Sequence, residues 1–308
     1  MDGPFHAGEL AAQTRAGVGA PGAGGIRALM PDQHREFFPL LSYLFIATRD
    51  EDGWPVATVL TGEPGFISSP DPTTLVVQAS PREGEPGHAL FHAGRPFGAL
   101  GLDFATRRRN RANGVIEASD GRGLRLHVLQ SFGNCPQYIQ TRAVEVAPAS
   151  TVPAEAVTMD APEVLAQIAS ADTFFVATAS GAAGVENGGV DISHRGGLPG
   201  FVKVEGRVLT VPDFRGNRFF NTLGNLVADP RAALLFVDFD TGDLLHLRGR
   251  VEIDWDPPVG KAWPEGVQRQ WRFTVEEAWR RPAALPLRWT FGDFSPVTLM
   301  TRAWNEAA

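Results

Sequence analysis

The sequence predicts a mainly β protein made of two tandem copies of one small barrel, packed against each other as a pseudo-dimer. Three observations predict it. Short segments of alternating or continuous apolar character, punctuated by glycine and proline, recur along the chain, as half-buried and buried strands require. Motifs also recur at a fixed distance. Gly62-Glu63-Pro64-Gly65-Phe66 reappears 135 residues later as Gly197-Leu198-Pro199-Gly200-Phe201. Asp103-Phe104-Ala105-Thr106 reappears as Asp238-Phe239-Asp240-Thr241, and Gly114 and Glu117 as Gly249 and Glu252, at the same distance. Finally, Phe45-Ile46-Ala47-Thr48 reappears as Phe175-Val176-Ala177-Thr178 only 130 residues on, which places five extra residues in the second hairpin. Two copies of one unit commonly meet through related faces.

The elements follow in order. Residues 1–29 are rich in Gly and Ala and read as an irregular leader; the glycine run at 17–25 follows no strand, which argues against a phosphate loop there. Residues 30–146 form the first repeat: a short helix at 30–41, strands at 44–48 and 56–60 joined by a DEDGWP turn, and a third strand at 74–78. A Pro/Gly-rich loop at 80–89 precedes a strongly apolar strand at 97–104. The basic run TRRRNRANG then leads into strands at 114–118 and 124–129. Residues 147–159 are a Pro/Ala/Thr-rich linker. The second repeat, 160–256, opens on a helix at 160–170, with Asp160 as N-cap and Pro162 in its first turn. Strands follow at 173–178, 190–194, 201–205 and 208–211, then a helix at 219–227 and strands at 232–238 and 244–254. The remainder, 257–308, is a Trp-rich extension with one helix expected near 274–281.

Composition narrows the function. The 308 residues carry a net charge of −7, which disfavours a general nucleic-acid binder. Lys203 and Lys261 are the only lysines, so nearly every cation is an arginine, the residue suited to fixed, bidentate anion contacts. A single cysteine, Cys135, leaves no internal disulfide or multi-cysteine metal site, and the scattered histidines suggest none. No apolar run reaches the roughly 18 residues of a membrane helix. No secretory signal is visible, so a soluble cytoplasmic protein is the default.

The stretch at 190–222 carries the chemistry. A strand ends on Ser193, His194 and Arg195; a turn, Arg215-Gly216-Asn217-Arg218, then supplies two cations, a glycine and an amide just before a helix. A helix start beside arginines suits an anion, phosphate above all, although the same residues fit a solvated hairpin. A partner stretch in the first repeat favours the anion. A polar cluster at Gln130, Ser131, Asn134 and Tyr138 follows a strand there, with Cys135 among its members as a bystander.

The order helix, FIATRDEDGWP (45–55), GxPGF and LVADPRAALLF (226–236) resembles the pyridoxamine 5′-phosphate oxidase-like FMN-binding split-barrel family, over residues 30–255, and in particular its tandem-barrel subgroup. That resemblance implies two split β-barrels and an FMN at the seam between them. It places the phosphate on Ser193, His194, Arg195, Asn217, Arg218, Asn221 and Thr222 of the second half. Asn217 and Arg218 stand where an Arg-Lys pair is usual. The first half lacks these pieces and gives acids and prolines at the matching places, 69–72 and 83–86, which implies one flavin per chain. Counting back from Gly114 assigns Arg109, Asn110 and Arg111 to the partner role across the seam, with Gln130 and Ser131 in reach; counting back from Gly249 gives Leu244 and Leu245, which are unsuitable.

The resemblance implies an FMN-dependent oxidoreductase acting on a small molecule, drawing electrons from NAD(P)H or a reductase. A non-catalytic flavin carrier or sensor, or a binder of haem or a deazaflavin in the same seam, stays open as an alternative. Pyridoxamine 5′-phosphate oxidation itself fits less well, because the substrate pattern expected near the C-terminus is not found in RRPAALPLRW. The Trp-rich extension leaves room for a homodimer. Trp289 is placed either on the flavin or on a barrel's outer face.

Overall fold

In the computed structural model, which describes residues 3–19, 25–181, 187–257 and 265–304, a seven-stranded and an eight-stranded antiparallel sheet share one seven-strand order. The first comprises β1 (Tyr43–Arg49), β2 (Pro55–Thr61), β3 (Ile67–Ser68), β4 (Thr74–Val77), β5 (Pro96–Asp103), β6 (Arg108–Ser119) and β7 (Leu124–Gly133). After β8 (Arg142–Val146) and the short β9 (Glu155–Ala156) comes the second: β10 (Thr173–Ala179), β11 (Val190–Gly196), β12 (Lys203–Glu205), β13 (Val208–Phe214), β14 (Arg231–Val237), β15 (Leu244–Asp254) and β16 (Val267–Arg281). The strand order is β2-β1-β5-β6-β7-β4-β3 in one and β11-β10-β14-β15-β16-β13-β12 in the other, with β9 pairing onto β16. The repeat extends to a defect: both β6 and β15 carry a bulge, at Asn113/Gly114 and at Arg248/Gly249. A Cβ on Gly114 would lie 1.9 Å from the His127 carbonyl oxygen, and one on Gly249 2.1 Å from that of Thr274, so the bulge demands glycine in both copies.

The continuous apolar strands are explained by burial on both faces. On β1, Leu44 and Ile46 enter the first barrel's own core, while Tyr43, Phe45 and Ala47 enter a core shared by the two barrels. On β10, Phe174 and Val176 serve the second barrel, while Phe175 and Ala177 serve the shared core. Phe45 and Phe175, equivalent in the repeat, stack with ring centroids 3.6 Å apart; Phe104 and Phe239, also equivalent, meet edge-on at 5.2 Å. Self-pairing of equivalent residues is the signature of a pseudo-twofold axis.

Four expectations need correction. The leader is not irregular throughout: α1 (Ala7–Arg15) is capped by His6, whose ring accepts from the Gly8 N–H while Glu9 accepts from the His6 N–H. The helix expected at 30–41 is a single turn, α2 (Asp32–Arg35), followed by a 3₁₀ turn at Phe38–Leu40. The helix of the second repeat, α3 (Pro162–Ser170), takes Ala161 rather than Asp160 as N-cap. The expected helix near 274–281 is strand: Trp271, Phe273 and Val275 point inward between exposed Arg272, Thr274 and Glu276, so β16 closes the second barrel well past residue 256. Beyond it, β17 (Leu287–Phe291) pairs with β8 and ties the C-terminal part to the end of the first repeat. Trp289 lies in the shared core against Tyr43 and Phe239. Most of the glycine run at 17–25, and Trp263, fall outside the described residues. Among the described residues no helix is long and apolar enough to cross a membrane.

Candidate functional site

A cavity of about 270 Å³ opens at one end of the seam. The first barrel lines it with Arg109 and Arg111 from β6; the second lines it with Ser193, His194 and Arg195 from β11. The loop entering α4 (Asn221–Ala228) adds Asn217 and Arg218, and the first turn of that helix adds Asn221 and Thr222. Residues separated by more than eighty positions therefore converge.

Three of the expected residues lie elsewhere. Alternation on β6 turns Asn110 away from Arg109 and Arg111, toward the first barrel. Ser131 pairs with Ala112 on that same face, where its hydroxyl meets His34 Nδ1 at 2.8 Å. Gln130 donates instead to the carbonyls of Pro4 and Asn187, beside a second, separate cavity. Of the polar cluster around Cys135, Asn134 and Tyr138 do line the first cavity. Arg269 and Asp213 line it as well, though sequence reasoning missed them. Asp213 on β13 was legible as a lone acid at a strand end; Arg269 was hidden by the misread β16.

The hydrogen bonds fix the wall of the cavity. Arg111 donates to both oxygens of Asp191 at 2.8 and 2.9 Å and to Ser193 Oγ at 2.5 Å, and Ser193 Oγ meets Thr222 Oγ1 at 2.7 Å. This buried chain locks β6, β11 and α4 together across the seam. Asp213 bridges Arg195 at 2.6 Å and Arg269 at 2.7 Å. Arg109 has no carboxylate: it donates through Nε to the Cys135 carbonyl and through Nη1 to His194 Nδ1 at 3.3 Å. Burial, reinforced by Arg111 and Arg195, pulls its pKa down to about 9, so it stays charged at neutral pH. Arg218 is exposed and has no partner among the described residues. Five guanidiniums thus face two carboxylates.

His194 is neutral, because burial and then Arg109 push its pKa well down. A guanidinium can only donate, so His194 Nδ1 accepts from Arg109 and the ring proton sits on Nε2. That N–H is buried and lacks a partner among the described residues. The approach to α4 is strained: Arg218 (φ 64°) and Phe220 (φ 62°) both adopt the left-handed conformation without being glycine. Such strain concentrates where a loop is held for a ligand.

The repeat-related seam differs. Matching registers place Val56, Val59 and Leu60 of β2 where β11 has Asp191, His194 and Arg195, and Leu244 of β15 where β6 has Arg109. At these four positions the polar wall has become apolar.

Residues 161–284 match the family model described as pyridoxamine 5′-phosphate oxidase. The second barrel is a pyridoxamine 5′-phosphate oxidase-like split barrel. Solved structures similar to the chain each extend over about two fifths of it. A Clostridium acetobutylicum protein related to general stress protein 26 of B. subtilis, of the pyridoxinephosphate oxidase family, is 19% identical over 42% of this chain and 92% of its own, with a TM-score of 0.30. A FAD-binding protein from Mesorhizobium loti is 12% identical over 43% of this chain and 100% of its own, at 0.29. The FAD binding protein from Mycobacterium smegmatis is 12% identical over 42% and 98%, at 0.27. No curated protein matches the sequence. In the split barrel, the match takes in β11, the turn at 215–218 and α4, the second-half share of the cavity.

Proposed function

We propose that this chain binds one flavin, FMN, in the cavity between its two split barrels and acts as an FMN-dependent oxidoreductase on a small molecule. The observation that carries the reading is the surplus of positive charge: Arg109 is desolvated without a counter-anion, and Arg218 waits unpaired at a strained helix entrance. A cation partly withdrawn from water without a counter-charge is costly, and a phosphate offsets that cost through charged hydrogen bonds of about 1.5–3 kcal/mol each. Arg195, Arg218, Asn217 and the first turn of α4 are the phosphate holders. Arg109 and the His194 Nε2–H are donors for the polar edge of a ring, and the stacked pair Tyr138 and Phe214 (5.4 Å) gives the cavity an aromatic side.

A bound flavin would supply the electron transfer itself. The chain's residues bind and orient: Asp213 is held between two arginines and His194 is neutral, which leaves no free carboxylate among the described lining residues to act as a base. The electron donor is NAD(P)H or a partner reductase. The same geometry serves a flavin carrier or sensor, which would hold FMN without turnover. The absorption spectrum of purified protein titrated with FMN tests the reading. Flavin bands are expected, and Arg195→Ala or Arg218→Ala should each weaken FMN binding roughly 10- to 100-fold. A colourless protein that ignores FMN refutes it, and haem and a deazaflavin are then the ligands to titrate.

A further inference from the structure

The second seam is not merely apolar. A polar cluster there surrounds Glu85, in the Pro/Gly-rich loop at 80–89. Thr58 Oγ1 donates to Glu85 Oε2 at 2.6 Å, and Arg281 Nη1 donates to Glu85 Oε1 at 2.6 Å. All three are buried; Arg281 is 1% exposed. The repeat gives these residues their meaning. Phe45 pairs with Val59 and Phe175 with His194, so Thr58 occupies the place of Ser193. Residue 85 lies 135 before Phe220, so its loop is the counterpart of the loop that enters α4. Leu244, the counterpart of Arg109, pairs with Arg281, while the Arg109 carbonyl accepts from the Asn134 N–H; Arg281 thus stands at the place of Asn134. His246, the counterpart of Arg111, is buried within electrostatic reach of Arg281; burial, opposed by a backbone hydrogen bond at Ala57 and assisted by Arg281, pushes its pKa down to about 4.

We propose that Glu85 is a built-in anion that fills the second seam, so that the chain keeps one exchangeable anion site and hides a second, carboxylate-sized site behind its own side chain. The inference rests on reading the first seam as an anion site. There, cations outnumber acids and the loop before α4 brings Asn217 and Arg218. Here, the equivalent loop brings a carboxylate, and one arginine and one hydroxyl receive it. The ligand class for the uncovered site is a small monoanion such as formate or acetate, matching the group removed.

Glu85→Ala leaves Arg281 buried without a counter-charge, and its Tm should fall by roughly 10 °C. Formate should restore most of that loss in a saturable manner, while chloride at equal ionic strength should not; the wild type should respond alike to both salts. An unchanged Tm, or a loss that formate does not recover, overturns the proposal. If Glu85→Ala does not fold, the double variant Glu85→Met with Arg281→Met decides: removal of both charges should return a soluble protein near the wild-type Tm, and an insoluble double variant overturns the proposal. FMN binding is scored separately. Formate rescue in a protein that never binds FMN would keep the plug and sink the cofactor reading; FMN binding without rescue would do the reverse.

Discussion

Glu9 offers a sharp test of how the N-terminal helix is held. It sits on α1, against α4, where a Cβ on Gly8 would lie 2.3 Å from the Gly224 carbonyl oxygen. Its carboxyl accepts from the His6 N–H at 3.0 Å and from Asn221 Nδ2 at 2.6 Å, and His6 Nε2 in turn meets Asn225 Oδ1 at 2.8 Å. Burial pushes the Glu9 pKa up from 4.5 to about 7, with the two hydrogen bonds and Arg111 opposing and Asp191 assisting. Below pH 4.5 the group is protonated whether α1 is docked or free. Between 4.5 and 7 only the free state ionises, so docking weakens as pH rises; above 7 the penalty is constant. At about 1.4 kcal/mol per unit the span is worth about 3 kcal/mol. Glu9→Gln abolishes the charge and should remove that slope; one of its two acceptors becomes a donor, so Asn221 must turn its amide to present Oδ1, and the slope rather than the absolute stability is the readout. Urea unfolding at pH 5 and pH 8, with hydrogen exchange of the α1 amides, measures it. An unchanged slope refutes the reasoning.

Other outcomes follow from the same geometry. Gly224→Ala places a methyl 2.5 Å from the Glu9 Cα and should cost about 1–3 kcal/mol, seen as a lower Tm and faster exchange in α1. Phe175→Ala empties one side of the stack at the pseudo-axis and should cost about 3–5 kcal/mol by denaturant unfolding, more than Leu129→Ala on the exposed face of β7. His194 should still be neutral, with its proton on Nε2, at pH 6.5, where a free imidazole is half protonated; ¹⁵N NMR reads it. Because its folded pKa lies below the unfolded value, its contribution to stability should fall as pH drops below about 6.5.

Much of this was legible in the sequence because a repeat reports on itself. The paired GxPGF and DFxT motifs give two barrels, and the asymmetry between Arg109 and Leu244 gives one polar seam. The errors have physical sources. Asn110 was assigned alongside Arg109 and Arg111, although neighbours on a strand face opposite ways. β16 is hidden in the sequence because Arg269, Gln270 and Arg281 break its apolar rhythm while being buried by ion pairs and hydrogen bonds. The capping pattern at His6 and Glu9 was the one local signal of α1, set within a Gly/Ala-rich segment whose value comes from close packing on Gly224.

The stacked pair of Phe45 and Phe175 has one more consequence. When two identical barrels associate, their joint surface exists only as far as dilution allows, and every substitution is imposed on both seams at once. Here a peptide linker makes the encounter intramolecular, so the seam does not depend on the concentration of the protein. The same covalent link freed each half to mutate alone. Leu244 could arise without costing the protein Arg109, and a chain with one arginine-lined cavity could keep the architecture of two.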